Sequence, residues 1–238
     1  MEQREKMLDG VERYLLEQGL SLSQLLTHCA KKDSELLSLS PDNLRQYRST
    51  YDQIESGALN KTQKGKLLEQ LVELLFETGS LFDRRKNYRT STNEIDLMLT
   101  WSSKARNAGI PNVFPCFGDV FICECKNYAE PVDVTYVGKF YSLLASSDLP
   151  FGVLVAWNGV TGKRGWSAAN GLIRKIALRD KVYIVTLDKN DLKMIYHNNR
   201  NIYSILLEKK EALQNDIDYE KYIQQHEAEV HFHSSIMN

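Results

Sequence analysis

The sequence predicts an α/β fold in which a central mixed sheet is flanked by helices, in the order helix, three strands, helix, strand, helix, strand. Three observations carry this. Leu67, Leu68, Leu71, Val72, Leu74 and Leu75 recur at helical spacing. Two segments, 93–101 and 121–128, mix apolar and charged residues with the period of a strand. Two short apolar runs, 152–157 and 182–187, are separated by a helical segment, the pattern of neighbouring strands joined by a helical crossover.

Residues 1–60 read as a helical accessory domain of two to four short helices. Met7, Val11, Tyr14, Leu15 and Leu16 keep helical spacing, and Ser40-Pro41-Asp42 joins an N-cap to a proline at the first helical position. A new helix begins near Thr62, and Gly79 is expected to end it. Glu69 and Glu73 lie off the centre of its apolar stripe, where solvation is the default. Strands follow at 81–88 and 93–101; in the second, Ile95, Leu97, Leu99 and Trp101 would share one face and leave Asp96 on the other. A long connection with Gly109, Pro111, Pro115 and Gly118 leads to the strand at 121–128.

After Pro131 the residues Val137, Phe140, Tyr141 and Leu144 mark a helix that precedes the run 152–157. The segment 158–165 is glycine-rich and basic but lacks the spacing of a phosphate-cradling loop. A helix over about 167–179 and the strand 182–187 complete a core assigned to residues 61–190. The remainder, 191–238, is a C-terminal helical extension carrying Ile202, Ile205, Leu206 and Leu213, with a polar tail.

The composition, 42% hydrophobic and 26% charged over 238 residues, is that of a soluble globular chain. No apolar run reaches the ~18 residues of a membrane span, and the charged start lacks the apolar centre of a signal peptide, so a cytoplasmic location without membrane contact is expected. Cys29, Cys116, Cys123 and Cys125 show no disulfide-framework spacing and read as free thiols. His28 beside Cys29, and His226, His231 and His233 in the tail, lack companions at zinc-ligand spacing. A net charge of −1 means that any nucleic-acid binding rests on local patches: Lys61, Lys64 and Lys66, then Arg84, Arg85, Lys86 and Arg89 around Tyr88. By themselves such patches read as solvated faces.

The chemistry concentrates in 121–128. A period of two sends Ile122, Glu124 and Lys126 to one face and Phe121, Cys123 and Cys125 to the other, so the first face is expected to carry chemistry and the second core. A carboxylate and an ammonium in so apolar a segment need a partner or a task. Were the strands 93–101 and 121–128 an antiparallel hairpin with Trp101 near Asp119, Asp96 would fall opposite Glu124, and two carboxylates and a lysine would converge.

Asp96 followed by Glu124-x-Lys126 within this element order resembles the PD-(D/E)XK, or restriction endonuclease-like, nuclease superfamily. Glu124-Cys-Lys-Asn-Tyr128, Pro131-Val132, the helix with Phe140 and Gly152-Val-Leu-Val are most similar to its Mrr-like branch, over about Thr62 to Asp188. The connection from Asp96 to Glu124 is longer than that branch's usual hairpin.

The resemblance implies a restriction endonuclease-like core, α-β-β-β-α-β, and a metal-dependent endodeoxyribonuclease of restriction or other DNA-defence type. It implies Asp96 and Glu124 as ligands of Mg2+, with Mn2+ as a substitute, and Lys126 orienting the attacking water or neutralising the phosphate. Glu69 becomes a third acidic contributor. Arg84, Arg85, Lys86, Arg89, Lys163 and Arg164 would track the DNA backbone, although Lys163 and Arg164 fit a surface loop equally well. A homodimer would place two sites on two strands, and the N-terminal helices would recognise a protein partner or the target. Two other readings stay open: a catalytically inactive nuclease-fold module that binds DNA or protein, and a nuclease for RNA or branched DNA.

Overall fold

The computed structural model describes residues 17, 19, 37–56, 59–77, 81–89, 94–107, 109–162, 168–197 and 200–215. Met7 to Leu16, His28, Gly79, Lys163, Arg164, His226, His231 and His233 lie outside that set. Five strands form one sheet in the order β1 (Phe82–Arg89), β2 (Glu94–Trp101), β3 (Val120–Lys126), β4 (Phe151–Ala156) and β5 (Tyr183–Leu187). The first three are antiparallel and the last three parallel. The sheet is therefore mixed, flanked by helices on both faces, and consistent with a restriction endonuclease-like core.

Capping chemistry sets where the helices start. Ser40 caps α1 (Pro41–Glu55), and Asn60 forms a reciprocal capping box with Gln63 on α2 (Lys61–Leu75). The long connection folds into α3 (Ser103–Asn107), α4 (Ile110–Val113) and a 3-10 turn at Pro115–Phe117. Asp133 caps α5 (Val134–Ser146), which precedes β4, and α6 (Ala168–Asp180) crosses to β5. The single helix expected after Asp188 is two, α7 (Lys189–Tyr196) and α8 (Ile202–Gln214). Asp188 and Asp191 box the first and Asn201 caps the second, so each has its own start signal.

One core joins α1, α2, α7 and α8 to Leu97, Leu99, Trp101, Phe121, Cys123, Val153, Val155, Val185 and Leu187. The other joins α5 and α6 to Ile122, Leu154, Ala156 and Ile184. Every residue of β4 is buried, as its unbroken apolar run requires of a strand covered on both faces. Gly152 lets α5 sit this close: a Cβ there would lie 2.8 Å from Leu144 Cδ2 and 2.9 Å from Phe140 Cζ. Packing also runs across residue 60. Tyr47 donates to the Leu192 carbonyl at 2.9 Å and Tyr51 to that of Lys189 at 3.2 Å, so α1 is seated on α7.

The connection between β2 and β3 earns its length by closing the first core. Trp101 stacks on Phe82 at 4.3 Å, Phe114 and Phe117 stack parallel to each other at 5.6 Å, and Phe117 reaches Phe121 and Phe151. Trp101 Nε1 donates to the Gly118 carbonyl at 2.7 Å, and Gly118 holds φ 64 and ψ −163, a region open to glycine.

A buried ion pair ties α8 to the sheet. Lys209 Nζ donates to Asp191 Oδ2 at 2.5 Å and to the Thr186 carbonyl at 2.9 Å. Burial outweighs the Lys209 ammonium and, with Asp188 nearby, pushes the Asp191 carboxyl above its ordinary value. A carboxyl raised in the folded state holds its proton where the unfolded state has lost it, so its contribution to stability falls as pH rises through that window. Lys209→Met leaves the charge without its cation and is expected to cost about 3 kcal/mol at neutral pH. The loss should shrink in mildly acidic buffer, where Asp191 protonates. Urea unfolding at the two pH values measures both, and an equal loss at each would refute the account.

Candidate active site

The centre of the site is a fork between β2 and β3. Their register pairs Thr100 with Val120, Leu99 with Phe121, Met98 with Ile122 and Leu97 with Cys123, so Asp96 comes next, in line with Glu124. Backbone pairing stops there. The Asp96 side chain takes over, Oδ2 accepting the Cys125 backbone N–H at 2.7 Å. A carboxylate thus lies against the β3 backbone one residue beyond Glu124.

Strand alternation breaks at the same point. Leu97, Leu99 and Trp101 face the first core as expected, but Ile95 packs into the second with Ile122. Across the ladder, Lys86 pairs with Leu97 and Tyr88 with Ile95, leaving Asn87 opposite Asp96, and Asn87 has φ 46. Asparagine tolerates this left-handed conformation better than most residues. The period-two assignment of Ile95 is therefore corrected: the strand turns at Asp96, and the turn aims its carboxylate at β3.

Glu124 and Lys126 share a face with Ile122, as the period predicts, but that face is not free for chemistry throughout. Ile122 is fully buried in the second core, and burial relaxes only from Glu124 onward. Glu124 Oε1 and Lys126 Nζ pair at 2.5 Å, with side chains 18% and 19% exposed. Burial first, and then the Asp96 carboxylate, push the Glu124 carboxyl above its ordinary value despite the adjacent ammonium. Lys126 meets a burial penalty that would lower it, but Glu124 and then Asp96 raise it overall, so it stands in the site as an ammonium.

Two cavities flank β3. One, about 220 Å3, opens toward α2 and includes Lys66, Glu69, Glu73, Lys86, Asp96 and Cys125 in its lining. The other, about 170 Å3, opens toward α5 and is lined by Glu124, Lys126, Tyr136, Lys139, Phe140, Leu143 and Leu154. Asp96 and Glu124 thus sit on neighbouring backbone positions while lining different cavities. Glu69 joins Asp96 rather than the solvent expected from its helical position. Glu73 is not simply solvated either: it is ion-paired with Lys86, and its carbonyl accepts from Arg84 Nη1 at 3.4 Å.

The cations of β1 divide accordingly. Arg84 pairs with Glu77 at 2.6 Å and Lys86 with Glu73, while Arg85 is exposed. The Arg89 side chain, like Lys163 and Arg164, lies outside the described residues. Among the described residues, no group of three or more His, Cys, Asp or Glu is arranged to hold a metal ion. The donor chemistry nonetheless fits a hard cation, since Mg2+ is commonly held by one or two carboxylates with water and phosphate oxygens at the remaining positions. The mutual repulsion of Asp96 and Glu124 is a charge that such an ion would relieve.

Several residues at the site were not singled out from the sequence. Asn127 Nδ2 donates to the Lys64 carbonyl at 3.3 Å, tying the end of β3 to the first turns of α2. Asn158 Nδ2 donates to the Tyr128 and Ala129 carbonyls at 2.7 and 3.1 Å, fixing the loop after Lys126. Tyr136 and Lys139, three apart on α5, face the same cavity as Glu124. Their helical spacing was visible, but their proximity to β3 depends on the crossover.

No helix among the described residues is long and apolar enough to cross a membrane. No curated protein matches the chain. The family model of the Mrr catalytic domain, described as restriction endonuclease, matches residues 61–187, from the first residue of α2 to the last of β5. That match takes in the fork and both cavity-lining sets, and covers more than half of the 238 residues. The chain belongs to the Mrr-like restriction endonuclease family of the PD-(D/E)XK nucleases.

Proposed function

We propose that the protein is a Mg2+-dependent endodeoxyribonuclease, acting in restriction or another DNA-defence role, with Mn2+ able to replace Mg2+. The observation that carries this reading is the Asp96 carboxylate seated on the β3 backbone beside the Glu124–Lys126 pair, within a family of restriction nucleases. Asp96 and Glu124 would hold the ion. When bound, it would stabilise the added negative charge of the phosphoryl transition state and acidify a coordinated water. Lys126, charged and tethered to Glu124, suits a phosphate contact better than proton abstraction, because it would first have to give up a proton that two carboxylates retain. Glu69 would act from the α2 side as an outer acidic group.

Arg85, exposed on the edge strand, and Lys66, at the α2 cavity, would contact the DNA backbone. Arg84 and Lys86 would do so only by exchanging Glu77 and Glu73 for phosphate. A cytoplasmic homodimer, with the segment before Lys61 engaging a protein partner or the target, completes the proposal.

Incubation with plasmid DNA should give cleavage that needs Mg2+ or Mn2+, stops with EDTA and is lost in Asp96→Ala and Lys126→Ala. Undiminished cutting by those variants would remove the site assignment. DNA binding without cutting under any metal would favour a binding module.

Metal binding has a separate readout. Mg2+ should raise the thermal midpoint of the wild type, since a ligand at a hundredfold excess over its Kd adds about 2.7 kcal/mol of stability. Asp96→Asn retains an oxygen to accept the Cys125 N–H, so it should fold yet show no Mg2+ response. An equal response in that variant would exclude Asp96 as a ligand.

A further inference from the structure

The cavity beside Glu124 and Lys126 has a feature that phosphodiester hydrolysis does not require: an aromatic wall. Tyr136 lines it together with Phe140, Leu143 and Leu154. Tyr128 packs against Tyr136 with ring centroids 5.2 Å apart at 53°, and Lys139 Nζ lies 5.3 Å from the centre of the Tyr136 ring. The backbone beneath the wall is held by contacts independent of any ligand. Tyr136 sits in the first turn of α5, where its own backbone N–H donates to the Asp133 cap at 3.2 Å, and Asn158 clamps the carbonyls of Tyr128 and Ala129. Tyr128 and Val134 are nevertheless among the large apolar side chains that stay exposed, at 39% and 46%.

The cavity therefore combines an apolar floor, a braced aromatic side and two ammonium groups, Lys126 and Lys139, next to the proposed cleavage point. A paired base inside a duplex presents no face to such a wall. An unpaired base does, and its flanking phosphates match the two cations. We propose that this cavity receives an unpaired nucleobase of the DNA strand, stacked on Tyr136 with Tyr128 as its brace, so that the enzyme favours DNA with an unstacked nucleotide at the site of cutting. The inference rests on the nuclease reading for its substrate and deepens it by naming the state of the DNA.

The test uses the full chain in EDTA, with two duplexes of one sequence, one fully paired and one carrying a single bulged 2-aminopurine. Wild type should bind the bulged duplex roughly 5- to 150-fold more tightly, the range that base–aromatic stacking supports, and should change the 2-aminopurine fluorescence on binding. Tyr136→Phe and Tyr128→Phe keep the rings and should keep the preference. Tyr136→Leu and Tyr128→Leu, with folding checked by circular dichroism, should bring the ratio of the two affinities close to one. Equal affinity of the wild type for both duplexes, or a preference that survives both leucine variants, overturns the proposal. A parallel Mg2+ cleavage assay separates the two readings: a ring-dependent preference without cutting supports the stacking site while the nuclease reading fails. Cutting of both duplexes without any binding preference refutes the stacking site alone.

Discussion

The hydrogen bond from the Cys125 backbone to the Asp96 carboxylate is the constraint on which the site depends. A strand amide that loses its neighbouring strand must find another acceptor, because a buried donor without one costs on the order of 1–3 kcal/mol. Here a side chain supplies it. The same contact that lets β2 and β3 separate also fixes a negative charge at the point of separation. Fold and site are thus solved by one group, whose charge adds to burial in raising the Glu124 carboxyl.

Around the fork, charge is arranged in compensating layers. Glu73 on α2 and Glu77 just beyond its end engage Lys86 and Arg84 on β1, which anchors the helix to the edge of the sheet. Asn127 fastens the same helix to the end of β3. With both attachments in place, Glu69 is carried to the cavity wall beside Asp96 instead of pointing outward. Arg84 and Lys86 of the basic patch on β1 therefore have an internal task, and Arg85 beside them is exposed.

Much of this was legible in the sequence because it rests on local rules. The strands and helices followed from period and capping, and the register of β2 against β3 follows the hairpin expected with Trp101 near Asp119. The exceptions have identifiable causes. Ile95 changed face because Asn87, on a different strand, adopts a left-handed conformation opposite Asp96, and a periodicity rule applied to one strand has no access to its neighbour. Helical position alone read Glu69 and Glu73 as solvated, because a helical wheel describes the helix without the strand that faces it, and only the family resemblance implied Glu69 at the site. The aromatic wall escaped for a similar reason: Tyr128 ends one element and Tyr136 begins another, and only the loop clamped by Asn158 brings their rings together.

The β2–β3 pair is held very differently at its two ends. At one end Trp101 is stacked on Phe82 and hydrogen-bonded to Gly118, and the aromatic cluster leaves it no slack. At the other end the strands part, and the Asp96 side chain bridges to the Cys125 backbone. Mechanically this is a pair of tongs with a welded pivot. The gap between the jaws lies at the far end of β2 from this packed aromatic anchor, so the two ends of one strand pair serve packing and chemistry separately.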